Sequence, residues 1–451
     1  MKNALLIFAF LSFYLSSVHA SVEIRSNKLT TGDGLANNSI RYMFQDSKGF
    51  MWMGTVNGLS YYDGNSFVSI YPDPNLPISL ADPRIRNMEE DSNGFLWIAT
   101  LSSLYSCYDL KHGRFVDFTG CGEYKQSYSK KIIASDQSIW LWDNNNGCRR
   151  VVYQDGQFSS QAYKKELGNL SSGEVLFVYE SNDSPGHVWI GTKQGLWKYH
   201  DGKLEAMDTQ GESWEHIFSY DQYTCIITGK KEIYRHSLSN NRLEKIASLT
   251  ELGDTGVITG SLRLQHQWVM FTATGSYILD PVTGKLRRFS RLNIKNGNVT
   301  RDNKGNAWVH NYTGNVWYVN TSTGDIKHFQ FLSSEHLGYI DVERYSIIHD
   351  SRDIIWITTY GNGLFAYDLN TGDLQHFTFE VSHSSHINSN YLQYIIEDRS
   401  GGIWVSSEFS GLSHLEILNK GTLRIYPNGE DASDRSNTIR MLLRGKNGNV
   451  Y

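Results

Sequence analysis

The chain has 451 residues, enough for two or three ordinary domains or for one large repetitive architecture. Its net charge of −5 comes from acids and bases mixed along the chain, and the absence of any basic block or arm gives nucleic-acid binding no support. With 13% aromatic residues, 40 Gly and only 7 Pro, the composition suits many short strands joined by glycine turns rather than helices or disorder.

The first element is a targeting segment. Lys2 supplies a positive start, the run ALLIFAFLSFYL an apolar core, and Val18-His19-Ala20 a small-residue cleavage signal, so residues 1–20 read as a signal peptide cut after Ala20. The apolar run is short for a retained membrane anchor. The mature chain is expected to be exported and soluble.

Beyond it, one phrase recurs. DSKGFMWMGTVNGLSYYDG begins at Asp46, and variants begin at Asp91, Asp136, Asp183, Asp302, Asp350 and Asp398. The tryptophans that keep its beat are Trp52, Trp97, Trp140, Trp189, Trp268, Trp308, Trp356 and Trp404, with gaps of 45, 43, 49, 79, 40, 48 and 48 residues. The 79-residue gap hides a degenerate unit, DQYTCIITGKKEIYRHS, which puts Cys225 in the tryptophan slot.

Each unit predicts four strands. An alternating strand such as SIRYMFQD precedes the Asp, a D-x-x-G turn follows, and a second strand carries the Trp. A glycine turn such as VNGL leads to a third strand, and a last turn of the TGDLQHF kind leads to a fourth. Four antiparallel strands every 40–49 residues predict an all-β fold, a β-propeller of four-stranded blades. The coils of a β-solenoid are shorter and lack this pattern.

The phrase resembles the two-component regulator propeller repeat, and LTTGDGLANNSIRYMFQDSKGFMWMGTVNGLSYYDG, Leu29–Gly64, resembles the opening of periplasmic sensor regions of hybrid two-component histidine kinases. The resemblance implies an exported, periplasmic double propeller. In the full-length protein it implies a membrane helix and a cytoplasmic histidine kinase or diguanylate cyclase beyond the present chain, which would be an N-terminal fragment without enzymatic activity of its own. It also implies a homodimer as the signalling form.

On that basis the expected layout is a first seven-bladed propeller over residues 21–330 and the first blades of a second, truncated propeller over residues 331–451. SVEIRSNKLT would close the first ring as an outer strand. A single nine- or ten-bladed ring fits the same pattern.

Few residues suggest chemistry. The repeated Asp residues open turns, where their carboxylates accept backbone N–H bonds, and need not converge as acid–base pairs. The D-x-x-G-x-x-W spacing also differs by one residue from the Asp-box of sialidases. The eight slot tryptophans suit blade-to-blade packing, while Trp142, Trp197, Trp214 and Trp317 lie outside the slot and are the better candidates for exposed contacts. The 15 His show no metal-ligand spacing, and no nucleophile elbow, P-loop or dinucleotide fingerprint occurs, so no catalytic residue, metal or cofactor is expected. Of the four Cys (Cys107, Cys121, Cys148 and Cys225), the first three allow a disulfide after export, and buried free thiols fit equally well.

Topology places the remaining candidates. In a propeller the connection leading into the first strand and the loop between the second and third strands open on one face. That face would present Asn37, Asn38, Asn57, Asn144, Lys193, Gln194, Tyr312, Tyr360 and Glu408. Arg41, Arg86 and Arg440 each lie eleven residues before a slot residue and suggest a polar ring near the channel, or else local pairing with acids and strand carbonyls.

Three functions fit: an extracytoplasmic sensor of a small molecule, oligosaccharide included; an exported propeller lyase or hydrolase; and a protein-interaction scaffold. Streptogramin-type lyases share similar repeats but are single complete propellers.

Overall fold

The computed structural model describes residues 22–119, 128, 130–143, 147–163, 167, 174–180, 185–208, 213–221, 224–229, 232–237, 242–254, 257–302, 304–311, 315–330, 346–380 and 386–418. The signal peptide, Cys121, Asn144, Tyr312 and Arg440 lie outside them.

These residues form nine four-stranded antiparallel sheets. Eight are built from consecutive strands, in the order first–second–third–fourth. They span residues 40–70, 85–116, 130–162, 175–208, 214–248, 260–288, 298–330 and 347–377 and are called blades 1 to 8. Blade 9 takes three strands from residues 392–418, and its outer strand is the N-terminal Glu23–Leu29, paired in antiparallel register from Glu23↔Leu418 to Leu29↔Leu412.

Nine apolar clusters hold the blades together, one at each interface. The cluster of Trp52, Leu59, Ile85 and Ile98 joins blades 1 and 2, and equivalent clusters follow round the molecule. The last joins Met43 and Met53 of blade 1 to Trp404 and Leu412 of blade 9. Nine blades with nine interfaces make a closed ring. The expected seven-bladed ring plus the start of a second is therefore corrected. Glu23–Leu29 does act as a closing outer strand, but it finds the free edge of Leu412–Leu418 in the ninth blade rather than an edge in the seventh. Neighbouring blades approach through their first strands, which line the axis.

The repeated phrase explains itself at atomic level. The Oδ1 of Asp46 accepts N–H bonds from Lys48 and Phe50, each at 2.9 Å, and closes the turn. Its Oδ2 accepts the indole N–H of Trp52 at 2.8 Å. The same clamp joins Asp91 to Trp97, Asp350 to Trp356 and Asp398 to Trp404, at 2.7–2.9 Å. The spacing of six between acid and indole thus fixes both the turn and the pose of the tryptophan. In blade 7 the amide of Asn306 occupies Oδ2 of Asp302 instead, and Trp308 Nε1 has no hydrogen-bond partner among the described residues.

The slot tryptophans are all buried, from 0% exposed at Trp97 to 6% at Trp268. The glycine after the tryptophan also has a packing reason. A Cβ on Gly54 would come within 2.5 Å of Ile85 in the next blade, so only hydrogen allows this approach.

Three of the four tryptophans expected to be exposed are not. Trp142, Trp197 and Trp214 are at most 5% exposed, and Trp317 is half-buried and stacks on His328 at 4.8 Å. Trp142 points to the same face as Trp140, two residues away in one strand, and joins its cluster together with Trp197. Trp214 shares a cluster with Cys225, where the small thiol in the indole slot leaves volume for a second ring. Cys107, Cys148 and Cys225 are buried.

Candidate functional site

The face carrying the second-to-third-strand loops has a cavity of about 470 Å³ where blades 9, 1 and 2 meet at the axis. It is lined by Arg41, Val56, Arg84, Ile85, Arg86, Leu101 and Gln393. Arg41, Arg86 and Gln393 owe their place in it to one recurring device. The first strand of each of these blades slips register against the second, between Ile40 and Tyr42, between Ile85 and Asn87, and between Leu392 and Ile395. Arg41, Arg86 and Gln393 are left outside the ladder. A bulge re-aims the residue it frees, and here all three freed side chains line the same cavity.

Arg41 is braced across the closing seam of the ring. Its guanidinium donates to Glu408 Oε1 at 3.0 Å and to Gln393 Oε1 at 3.3 Å, both in blade 9, and the Gln393 amide donates to the other Glu408 oxygen. Glu408 is 5% exposed and Gln393 9%, so the brace is built into the protein rather than laid on its surface. Arg84 is occupied by a two-pronged pairing with Asp82 at 3.0–3.1 Å. Arg86 is exposed and has no hydrogen-bond or ion-pair partner among the described residues.

The aromatic groups nearby stay neutral. Burial pushes the Tyr105 phenol up, against the opposing pull of Arg86. Tyr42 and Tyr394, whose rings lie 4.7 Å apart, are also raised, chiefly by burial. On the same strand as Arg86, Glu89 pairs with the buried Lys131 of blade 3; burial lowers that amine's pKa and Glu89 opposes the shift.

The structure therefore brings Arg41 and Arg86 to the wall of one cavity and pairs Arg41 with Glu408 across the seam. The other candidates are elsewhere or otherwise engaged. Asn37 and Asn38 spend their side-chain oxygens on the N–H groups of Ser39 and Thr31, shaping the loop into blade 1. Asn57 is exposed on the rim, beside Val56 of the cavity wall. Tyr360 bridges to Tyr391, ring to ring at 5.2 Å. Lys193 is ion-paired to Glu174 and lines a separate cavity of about 480 Å³ in blades 3 to 6, together with Trp142, Phe177, Tyr179 and His216. Gln194 donates its backbone N–H to Thr192 within the tight loop beside Lys193. A third cavity, on the opposite face, is lined by Arg263 and Arg301.

Gln393 was missed in the sequence. It lies at the same eleven-residue offset before Trp404 that singles out Arg41 and Arg86, and only its lack of charge hid it. Among the described residues no group of three or more His, Cys, Asp or Glu is placed to hold a metal ion.

The fold and the clamped Asp–Trp units define this chain as a β-propeller of tryptophan-anchored blades. Residues 34–57 and 79–102, the passages through blades 1 and 2 that frame the cavity, match the two-component regulator propeller family model. No curated protein matches the chain.

Among solved structures it is similar to the extracellular domain of a hybrid two-component system of B. thetaiotaomicron, at 17% identity and TM-score 0.39, covering 87% of this chain and 58% of that one. A second such domain from the same organism has 18% identity and TM-score 0.32, covering 95% and 76%. BamB from Moraxella catarrhalis has 12% identity and TM-score 0.45, covering 88% and 99%. The chain spans just over half the length of the first of these.

Proposed function

We propose that this propeller is the ligand-receiving region of an extracytoplasmic two-component sensor. It takes a small polar molecule, oligosaccharide fragments among the candidates, into the cavity at Arg41, Arg86 and Gln393. The observation that carries the reading is the convergence of three bulge-freed polar side chains on one cavity at the seam of the ring. A ligand held there touches blades 9, 1 and 2 together and so favours one arrangement of the seam over others. Differential affinity of that kind is what a sensor needs to shift an equilibrium. The propeller does no chemistry; a kinase or cyclase in the full-length protein supplies the output, and two protomers rearrange across the membrane.

Calorimetry of the folded chain against an oligosaccharide panel tests this. Saturable binding that Arg41→Ala or Arg86→Ala weakens at least tenfold supports it. Binding insensitive to both substitutions places the ligand elsewhere and refutes it.

One observation favours a second reading, in which the same face receives a protein. Phe409 is 74% exposed and Leu101 60%, both in loops between second and third strands. A partner captured by the wild type and lost with Phe409→Ser, in the absence of any small ligand, would point that way.

A further inference from the structure

We infer that the molecule taken into the seam cavity is an acid, carrying a carboxylate or sulfate that Arg86 and Arg41 share. The inference rests on the reading of that cavity as the ligand site, and it follows from its charge balance. Among the described residues three guanidiniums line the cavity and no carboxylate does. Arg84 is matched by Asp82, and Arg41 by Glu408, which stands just behind the wall. Glu89, the acid three residues along from Arg86, is committed to Lys131. The Tyr105 phenol keeps its proton because burial raises its pKa. One positive charge, that of Arg86, is left without a counter-charge.

An exposed arginine is ordinarily a solvated one. Here two features argue otherwise. The side chain is freed by a bulge that repeats at the equivalent place in blades 9 and 1, and its neighbour Arg41 is held rigid by two nearly buried partners. Those bonds engage one N–H on each terminal nitrogen of Arg41, leaving the rest of its roughly five N–H donors to be satisfied. An oxyanion that presents two oxygens side by side, as a carboxylate or a sulfate does, is the group that matches paired N–H donors. Val56, Ile85 and Leu101 supply an apolar wall on which the ligand body can rest.

Glu408 then has a second role. It orients Arg41, but its charge also competes with an incoming anion. Glu408→Gln keeps a hydrogen-bond acceptor for Arg41 and removes the competitor, so it is expected to tighten acid binding several-fold. Arg86→Met removes the unmatched charge.

The test is a binding panel on the whole folded chain: uronic-acid trisaccharides, their carboxyl-reduced neutral counterparts, and sulfated disaccharides, each at low and high salt. The expected result is that acidic members bind, that the carboxyl-reduced counterpart binds at least tenfold more weakly, that affinity falls with salt, and that Arg86→Met erases the preference without moving the melting temperature. The uronate and sulfate arms separate the two sources of the anion. A neutral sugar that binds as tightly as its acid, through Arg41 but regardless of Arg86, overturns the acid inference and leaves the ligand site standing. If no panel member binds the folded protein, both the inference and the sensor cavity fall.

Discussion

The Asp–Trp clamp allows a double-mutant cycle with its own control inside the molecule. In blade 2 the Trp97 indole donates at 2.8 Å to Oδ2 of Asp91, with the tryptophan 0% and the aspartate 6% exposed. Oδ1 of Asp91 meanwhile accepts Asn93 N–H at 2.9 Å and Phe95 N–H at 3.0 Å. A buried hydrogen bond to a charged acceptor contributes about 1.5–3 kcal/mol. Asp91→Ala removes three such bonds and orphans a buried indole, for an expected loss of about 5 kcal/mol. Trp97→Phe removes the donor and part of the ring, and the double variant should lose less than the sum. The difference, about 2 kcal/mol, is the clamp itself. In blade 7 the geometry denies Trp308 this bond, so the cycle of Asp302→Ala with Trp308→Phe should show a coupling near zero. Urea unfolding followed by far-UV circular dichroism supplies all the free energies. Equal couplings in the two blades, or none in blade 2, would refute the reasoning.

Other expectations follow from the same packing. Trp97→Ala, which empties a site packed against Phe118 and Phe158, should cost about 3–5 kcal/mol in a urea titration. Gly49 and Gly411 both have positive φ, but a Cβ on Gly49 meets nothing, whereas one on Gly411 collides with the Leu29 carbonyl of the closing strand. Gly49→Ala should therefore cost only about 1–2 kcal/mol of backbone strain, and Gly411→Ala should lower the melting temperature clearly more. Burial holds the His310 imidazole down to about 4. The unfolded chain therefore protonates first as pH falls, and the stability present above about pH 6.5 is lost towards pH 4, by about 3 kcal/mol. His310→Gln should flatten that stretch of the stability–pH curve. Arg41→Met strips a nearly buried carboxylate of its cation and should cost about 1–2 kcal/mol, discounted for the partial exposure of Arg41. Adding Glu408→Gln should recover much of that loss, as melting curves of the two variants would show.

The blades were legible because their signal is local. The Asp, the turn glycine and the Trp lie within seven residues, and each is there for a short-range reason. Even the degenerate unit was legible, since Cys225 takes the slot position opposite Ser219 in a strand that otherwise keeps the pattern. The blade number was not. Every interface uses the same apolar alternation, so nothing local says which blade is last; that is decided by where Glu23–Leu29 pairs, nearly four hundred residues away. The fates of Trp142, Trp197 and Trp214 were hidden for a related reason, since each fills space set by a neighbouring strand or by a neighbour's small side chain. At the site, the offset before the tryptophan revealed Arg41 and Arg86. The bulges that turn them inward, and the Glu408–Gln393 brace across the seam, are properties of paired strands and of two blades brought together by closure.

The closing strand also imposes an order of events. Glu23–Leu29 is made before the eight blades that separate it from its partner, and Leu412–Leu418 only after them. Until then the molecule is an open arc, with one blade a strand short and an unsatisfied edge of backbone donors and acceptors on show. Such an edge accepts any strand of matching pattern. The equivalent strand of a neighbouring copy has that pattern by definition, so at high concentration refolding should divide between closed monomers and chains that have exchanged their first strands. Dilution during refolding then becomes the variable that decides how many rings close on themselves.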